Sequence, residues 1–339
     1  MKTQSAVSAV VIGRNEEACI ADSLRAVLAA AAQVGGAEVV YVDSASTDRT
    51  VELARALGVR VISLPSEGQL SPSAGRYVGF HDTSGELVMF VDGDTVIEPD
   101  WLRNAIPWFE RPEVAGAAGF LEDVDDQGRR LPFVGTRSNA ACELPELRGI
   151  ALYRRKAMEQ AGTFNPHLVC DEEAELALRL RRAGWKLLHL PYPMGCHRRG
   201  IPRMKRMLQA FQVGRVGGIG VTLRYACREG SGFEFCFRYK RPTMMFALAS
   251  LLLSPGLFLW LTDYAHVAKY FLGPLLMGTA AIAIKRRKLL APLDYVVTHG
   301  VTLLGLIAGS LKAHLKDPRD YPLSLLSKLA FVLTAVRQE

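Results

Sequence analysis

The chain has 339 residues, 49% of them hydrophobic and 22% charged, with a formal net charge of +7 and six cysteines. That balance excludes an intrinsically disordered chain, and the length leaves room for two domains. Cys19, Cys142, Cys170, Cys196, Cys227 and Cys236 form no C-x-x-C pair and show no metal-ligand spacing, which excludes a disulfide-stapled scaffold. They read as reduced, mostly buried thiols in a cytosolic setting.

In chain order, Met1-Lys2 precede a short apolar stretch, 6–12, that ends in Gly13-Arg14-Asn15-Glu16-Glu17. It is too short and too quickly charged for a signal peptide and reads as a first buried strand. A helix is expected over 17–32, where Ile20, Leu24, Val27, Leu28 and Ala31 recur at helical spacing. Strand 38–42 follows, then a helix over 48–57 ended by Gly58, then strands over 59–64, 86–91 and 114–120. This rhythm argues for an α/β domain whose mostly parallel, twisted sheet carries helices on both faces. A further apolar strand covers 185–191.

Three acidic groups fall at chemically informative places. Asp43 ends the second strand and is followed by Ser44-Ala45-Ser46-Thr47-Asp48, a cluster that also suits capping of the next helix. Asp92-Gly93-Asp94 ends the strand over 86–91. Carboxylates at the carboxyl ends of such strands lie where open α/β sheets bind ligands, and two of them one residue apart call for a cation such as Mg²⁺ or Mn²⁺. The rim suits a ligand with ring N–H or ribose hydroxyl donors and a metal-bound diphosphate. Asp171, Glu172, Glu173 and Glu175 open a helix; four acids in five residues exceed what the helix dipole needs, so a partly desolvated one is a candidate general base.

The chain changes character near residue 198. From Arg198 to Arg241 eleven Lys or Arg face only Glu229 and Glu234, a local charge of +9 that exceeds the charge of the whole chain. Arg203, Lys205 and Arg206 alternate with Met204, Met207, Leu208 and Phe211, as in an amphipathic helix lying on anionic headgroups. No nucleic-acid-binding motif accompanies the patch, so no nucleic-acid partner is expected. Apolar runs over 244–261, 270–284 and 295–311 follow; the first and third are long enough to span a bilayer. Lys285-Arg286-Arg287-Lys288 marks a cytoplasmic loop and places the α/β domain in the cytoplasm, although a third span would put Lys312, Lys316 and Arg319 outside. The expected organisation is a catalytic domain over 1–197, a basic interfacial segment over 198–241, and a membrane region over 242–339 with two to four apolar helices.

Four segments, 9–17, 42–50, 85–94 and 172–180, resemble in order and spacing the family 2 inverting glycosyltransferases, which have the GT-A fold. The resemblance covers residues 6–200 and implies a nucleotide-diphosphate-sugar donor with Mn²⁺ or Mg²⁺. It implies that Asp43 binds the nucleobase, that Arg14, Asn15, Glu16 and Ser46 line the nucleotide site, that Asp92 lies near ribose and metal, and that Asp94 ligates the metal. Ser73-Ala74-Gly75-Arg76-Tyr77-Val78-Gly79 looks like the family's Ala-Arg-Asn-x-Gly stretch, with Arg76 as a diphosphate or nucleotide contact. His197 falls where some GT-A enzymes place a third metal ligand; an ordinary surface histidine is the alternative.

The family's Glu-Asp pair reads Glu172-Glu173 here, with Glu173 in the base position. Gln212-Val213-Gly214-Arg215-Val216 lacks the tryptophan of processive members, which implies transfer of a single sugar. The glycines of 214–220 follow no strand, so they are not a dinucleotide loop. The expected acceptor is a lipid-linked glycan of the cell envelope or an exopolysaccharide, used at the bacterial inner membrane. A polyprenyl-monophosphate acceptor and a catalytically inactive assembly factor are the rival readings.

Overall fold

A computed structural model describes residues 6–67, 70–125, 127–131, 138–198, 210, 215–260, 291–312 and 314–323, with side chains at 252–260 and 291–294 set aside. The expected interfacial helix at 203–211, the second apolar run, the basic loop 285–288 and the segment 324–336 lie largely or wholly outside these residues. The chain divides into two compact units, 1–200 with 316–339, and 201–315.

The first unit is built on one nine-stranded sheet. Its strands are β1 Val7–Gly13, β2 Glu38–Asp43, β3 Arg60–Ser63, β4 Leu87–Asp92, β5 Thr95–Ile97, β6 Val114–Val124, β7 Cys142–Glu143, β8 Ala151–Arg154 and β9 Lys186–Arg198. The main helices are α1 Ile20–Ala32, α2 Thr50–Ala56, α3 Pro72–Asp82, α4 Trp101–Ala105, α5 Arg155–Ala161 and α6 Glu172–Arg182. The order is β3-β2-β1-β4-β8-β6-β9-β5, with β7 paired to β9. The half from β3 to β4 is all parallel. Beyond β4 the sheet is mixed, because β8 runs antiparallel to both β4 and β6, and β5 antiparallel to β9. β1 and β4 are covered on both faces and therefore read as nearly continuous apolar runs, broken in β1 by the buried Ser8.

The chain moves outward from β1 to β2 and β3, then returns to the other flank of β1 as β4. That reversal makes the carboxyl ends of β1 and β4 a switch point, where a crevice opens. Register places both acids there: Gly13 of β1 pairs with Asp43, and Ile12 with Asp92. Helix α3 begins with Pro72 in its first turn and Ser71 as N-cap, whose hydroxyl accepts from the Ala74 N–H at 3.1 Å. It lies close on β1, since a Cβ added to Gly79 would overlap the Val10 side chain. This approach carries Arg76 into the interior under the crevice.

In the second unit, helix Gly218–Arg228 packs on helix Ala291–Lys312 through small residues. A Cβ at Gly309 would overlap the Gly217 carbonyl, and one at Gly220 would come within 2.5 Å of the Leu306 carbonyl oxygen. The glycines near 217–220 thus serve close helix contact. Ser310 Oγ donates to the Gly220 carbonyl at 3.2 Å, and Arg224 donates to the Ser310 carbonyl at 3.1 Å. Among the described residues one segment, Tyr295–Lys312, is long and apolar enough to cross a membrane, and only 17% of it is buried.

Residues 316–323, which fall within the expected membrane region over 242–339, belong to the first unit. Tyr321 is buried there, its ring 5.9 Å from that of Tyr77, and the Asp317 carbonyl lies 3.1 Å from His167 Nε2. The tail is held by aromatic packing that no apolar periodicity announces.

Gly79→Val should lower stability of the first unit by about 1–3 kcal/mol, the usual cost of forcing methyl groups into a filled core. Thermal melting followed by circular dichroism measures it, and an unchanged midpoint would mean that α3 can move away from β1.

Candidate active site

The loops after β1 and β2 are sewn together. Asn15, at φ 56°, donates its N–H to Ser46 Oγ at 2.8 Å, and its Oδ1 accepts from the Thr47 N–H at 2.8 Å. The Glu16 N–H donates to Thr50 Oγ1 at 2.8 Å. Asp43 is 1% exposed; one oxygen accepts from the Ser46 N–H at 3.0 Å and the other from the Tyr41 hydroxyl at 3.3 Å. Asp43, Asn15, Glu16 and Ser46 therefore form one connected rim, with Arg14 exposed at its edge. Burial raises the Glu16 pKa, with Asp94 and Asp92 adding to the rise, against a hydrogen bond from Cys19. The same burial and Glu16 push the Cys19 thiol up to about 12, so it is no nucleophile.

Arg76 is 2% exposed and faces carboxylates. It reaches Glu172 Oε1 at 2.7 Å, Asp92 Oδ1 at 2.8 Å and Glu173 Oε1 at 3.5 Å, with Phe164 5.5 Å from its guanidinium carbon. The residue expected to contact the diphosphate is thus a buried side chain whose donors face three acids of the protein. Burial would lower the Arg76 pKa, but the charges of Asp92, Glu173 and Glu172 hold it above the usual range. Asp92, expected beside ribose and metal, is paired with Arg76 at 2.8 Å, and burial raises its pKa in spite of that charge.

Glu172 and Glu173 begin α6 and diverge. The Glu172 side chain is 6% exposed and paired with Arg76. Its pKa is pushed up to about 7, first by burial and then by the Glu173 charge, with Arg76 opposing. Glu173 is 21% exposed and accepts from the Gly149 N–H at 3.2 Å. Gly149 has φ +53°, and a Cβ there would stand 3.0 Å from Asp92 Oδ2, so Gly fits the position on both counts. Glu175 pairs with Arg179, which ties α6 to the Ala161 and Thr163 carbonyls and serves the fold.

Asp94 and His197 converge. Asp94 Oδ2 lies 3.1 Å from His197 Nε2, and the Asp94 carbonyl accepts from the Arg198 N–H at 3.1 Å. Burial lowers the His197 pKa, but the hydrogen bond and charge of Asp94, with Asp123, outweigh it and raise it. No group of three or more metal-ligating side chains converges among the described residues. An oxygen and an imidazole nitrogen nevertheless fit Mn²⁺ or Mg²⁺. Ligands about 2.0–2.1 Å from an octahedral ion stand about 3 Å apart along an edge, and such ions take their remaining ligands from water and phosphate. Asp123 lies 3.3 Å from His197 Nδ1, and no sequence motif marks either it or Gly149.

Comparison with known proteins bears on the family and the fold. Residues 8–165 match the family described as Glycosyl transferase family 2, and residues 87–307 match Glycosyl transferase family group 2. The glycosyltransferase AglE of Haloferax volcanii is 25% identical over 219 residues, 62% of this chain and 72% of that protein. A beta-monoglucosyldiacylglycerol synthase of Nostoc sp. is 26% identical over 204 residues, 55% of this chain but only 43% of the synthase. Among solved structures, the mannosyltransferase PcManGT from Pyrobaculum calidifontis, in complex with GDP-Man and Mn²⁺, superposes with a TM-score of 0.55 at 18% identity. That match covers 92% of this chain and 87% of PcManGT and bears on the fold.

A raised carboxyl pKa means that the folded state holds its proton more tightly. Its stabilisation is complete below the unfolded value of 4.5 and is lost as pH rises through about 7. Glu172→Gln should therefore flatten the fall in unfolding free energy between pH 4.5 and 7, read from denaturant titrations of the metal-free protein. An unchanged slope would mean that Glu172 is ionised throughout.

Proposed function

The chain belongs to the family 2 glycosyltransferases, and from that premise we propose that it moves one sugar from a nucleoside-diphosphate donor to a hydroxyl of a lipid-linked acceptor. The observation that carries this reading is the Arg76 bridge. One buried guanidinium joins Asp92, at the carboxyl end of β4, to Glu172 and Glu173, at the start of α6. It holds a partly exposed carboxylate over the rim where a donor would lie.

In this reading Asp43 and the Asn15–Ser46 rim hold the nucleoside, with Arg14 and Glu16 beside it. Asp94 and His197 hold Mn²⁺ or Mg²⁺, which when bound supplies positive charge to the departing diphosphate. Glu173 takes the proton of the acceptor hydroxyl as that oxygen attacks the anomeric carbon from the side opposite the leaving group. The anomeric configuration therefore inverts. Glu172 stays with Arg76 and keeps Glu173 in place.

The acceptor class follows from the second unit. Met245, Leu248 and Leu251 on the helix Arg241–Trp260 and Leu304, Ile307 and Leu311 on Ala291–Lys312 are all exposed, an apolar surface that suits hydrocarbon. The chain leaves the first unit at residue 200 and rejoins it at 316. If that unit lies in the cytoplasm, the intervening segment crosses the bilayer an even number of times. Two crossings suit the first and third apolar runs, in place of a three-span arrangement that leaves the tail outside. The enzyme then works at the cytoplasmic face of the bacterial inner membrane, attracted to anionic lipids by its basic segment.

Glu173→Gln should reduce kcat by about 10²–10⁴-fold with an unchanged melting midpoint, measured by nucleoside diphosphate release in membranes. Retained turnover would instead indicate a phosphate acceptor that needs no base. In intact cells a cysteine placed by Arg319→Cys should be shielded from a membrane-impermeant thiol reagent, and labelling there would refute the even number of crossings.

A further inference from the structure

The sheet brings three strands together at His197. Register pairs it with Thr95 of β5 on one side and with Asp123 of β6 on the other. The ring is thereby held between two carboxylates, Nε2 at 3.1 Å from Asp94 Oδ2 and Nδ1 at 3.3 Å from Asp123 Oδ1. Asp123 is 9% exposed, and its backbone carbonyl is tied by the Leu131 N–H at 2.8 Å. A buried carboxylate is costly unless something nearby uses its charge, and strand pairing does not need one at this position.

An ionised carboxylate only accepts hydrogen bonds, so it selects the imidazole tautomer that carries hydrogen on the nitrogen facing it. Here that nitrogen is Nδ1. The Nε2 lone pair is then directed to the side where Asp94 Oδ2 lies, and the second carboxylate makes the ring a better ligand.

We propose that Asp123 is a positioning residue of the metal site, fixing His197 so that Nε2 and Asp94 Oδ2 together take a divalent cation. The proposal rests on the glycosyltransferase reading and adds to it an outer residue that touches neither donor nor acceptor. It also accounts for the register irregularities between Ala118 and Leu121 of β6, which set the phase of the strand so that Asp123 falls opposite His197.

The test is Mn²⁺ affinity of the full chain in detergent, without substrate, read from the electron paramagnetic resonance signal of free Mn²⁺. Asp123→Ala should weaken binding by about 10–100-fold. Its melting midpoint should match that of the parent protein. Asp123→Asn, which keeps an acceptor oxygen and loses only the charge, should weaken it severalfold. If the alanine variant does not fold, the asparagine variant decides alone. Parental affinity in the folded variants overturns the role of Asp123. If Mn²⁺ binding is lost in Asp94→Ala and His197→Ala at the same time, the metal site itself still stands. A parent protein that binds no Mn²⁺ overturns both the metal site and this proposal.

Discussion

Three carboxylates around one buried guanidinium set the terms for the rest of the first unit. Two unit charges 4 Å apart interact by about 4 kcal/mol at an effective dielectric of about 20, so Asp92, Glu172 and Glu173 could not stay close without Arg76. Even with it the cluster is short of positive charge, and the pKa of Glu172, raised to about 7, marks where a proton makes up part of the deficit. Removing one partner from such a buried set typically costs about 3–5 kcal/mol, because the charges left behind are already desolvated. The cluster is therefore rigid as well as polar. It fixes the distance between the end of β4 and the start of α6, and an error of about 1 Å there would be expensive in rate.

Much of this was legible in the residues, for a physical reason. β2 and β4 run through apolar residues, Val39–Val42 and Leu87–Val91, so the aspartates that end them stood out against their background. The acids of α6 stood out because they exceed the needs of a helix start. Less legible was α3, whose Gly75 and Gly79 suppress the helical pattern while permitting its close packing on β1. Without apolar spacing to mark the helix, Arg76 is reached in the sequence through its resemblance to a family stretch and not through a place on a helix. Strand ends past irregular stretches were least legible. β9 continues through Pro191 and Pro193 to Arg198, and β6 runs past Phe120 to Val124. His197 and Asp123 lie on those extensions, and their pairing depends on register, which single-sequence periodicity does not record.

The second unit illustrates how one residue type serves different purposes. Glycines near 217–220 and at 305 and 309 superficially suggest a loop and a broken helix. Together they let two backbones approach until carbonyl oxygens meet α-carbons, a mode suited to an apolar medium where hydrophobic burial does not drive helices together. Outward-facing Leu304, Ile307 and Leu311 on the second of these helices would be a liability in water. Close packing by small residues and an apolar exterior both support the membrane location proposed for this unit.

The replacement of aspartate by glutamate at the base position fits the same physical frame. A longer side chain adds a rotatable bond, and freedom at a proton acceptor blurs the geometry that catalysis needs. Here that freedom is removed by the Gly149 N–H and, at longer range, by Arg76, both directed to Oε1 of Glu173. In the proposed reaction the proton then goes to Oε2. Gly149 is central to this arrangement, because its left-handed backbone presents the N–H to Glu173 while leaving room for Asp92. The extra methylene is thus absorbed by a backbone anchor, and the acceptor side and the donor side of the site remain referred to the same three residues, Arg76, Asp92 and Gly149.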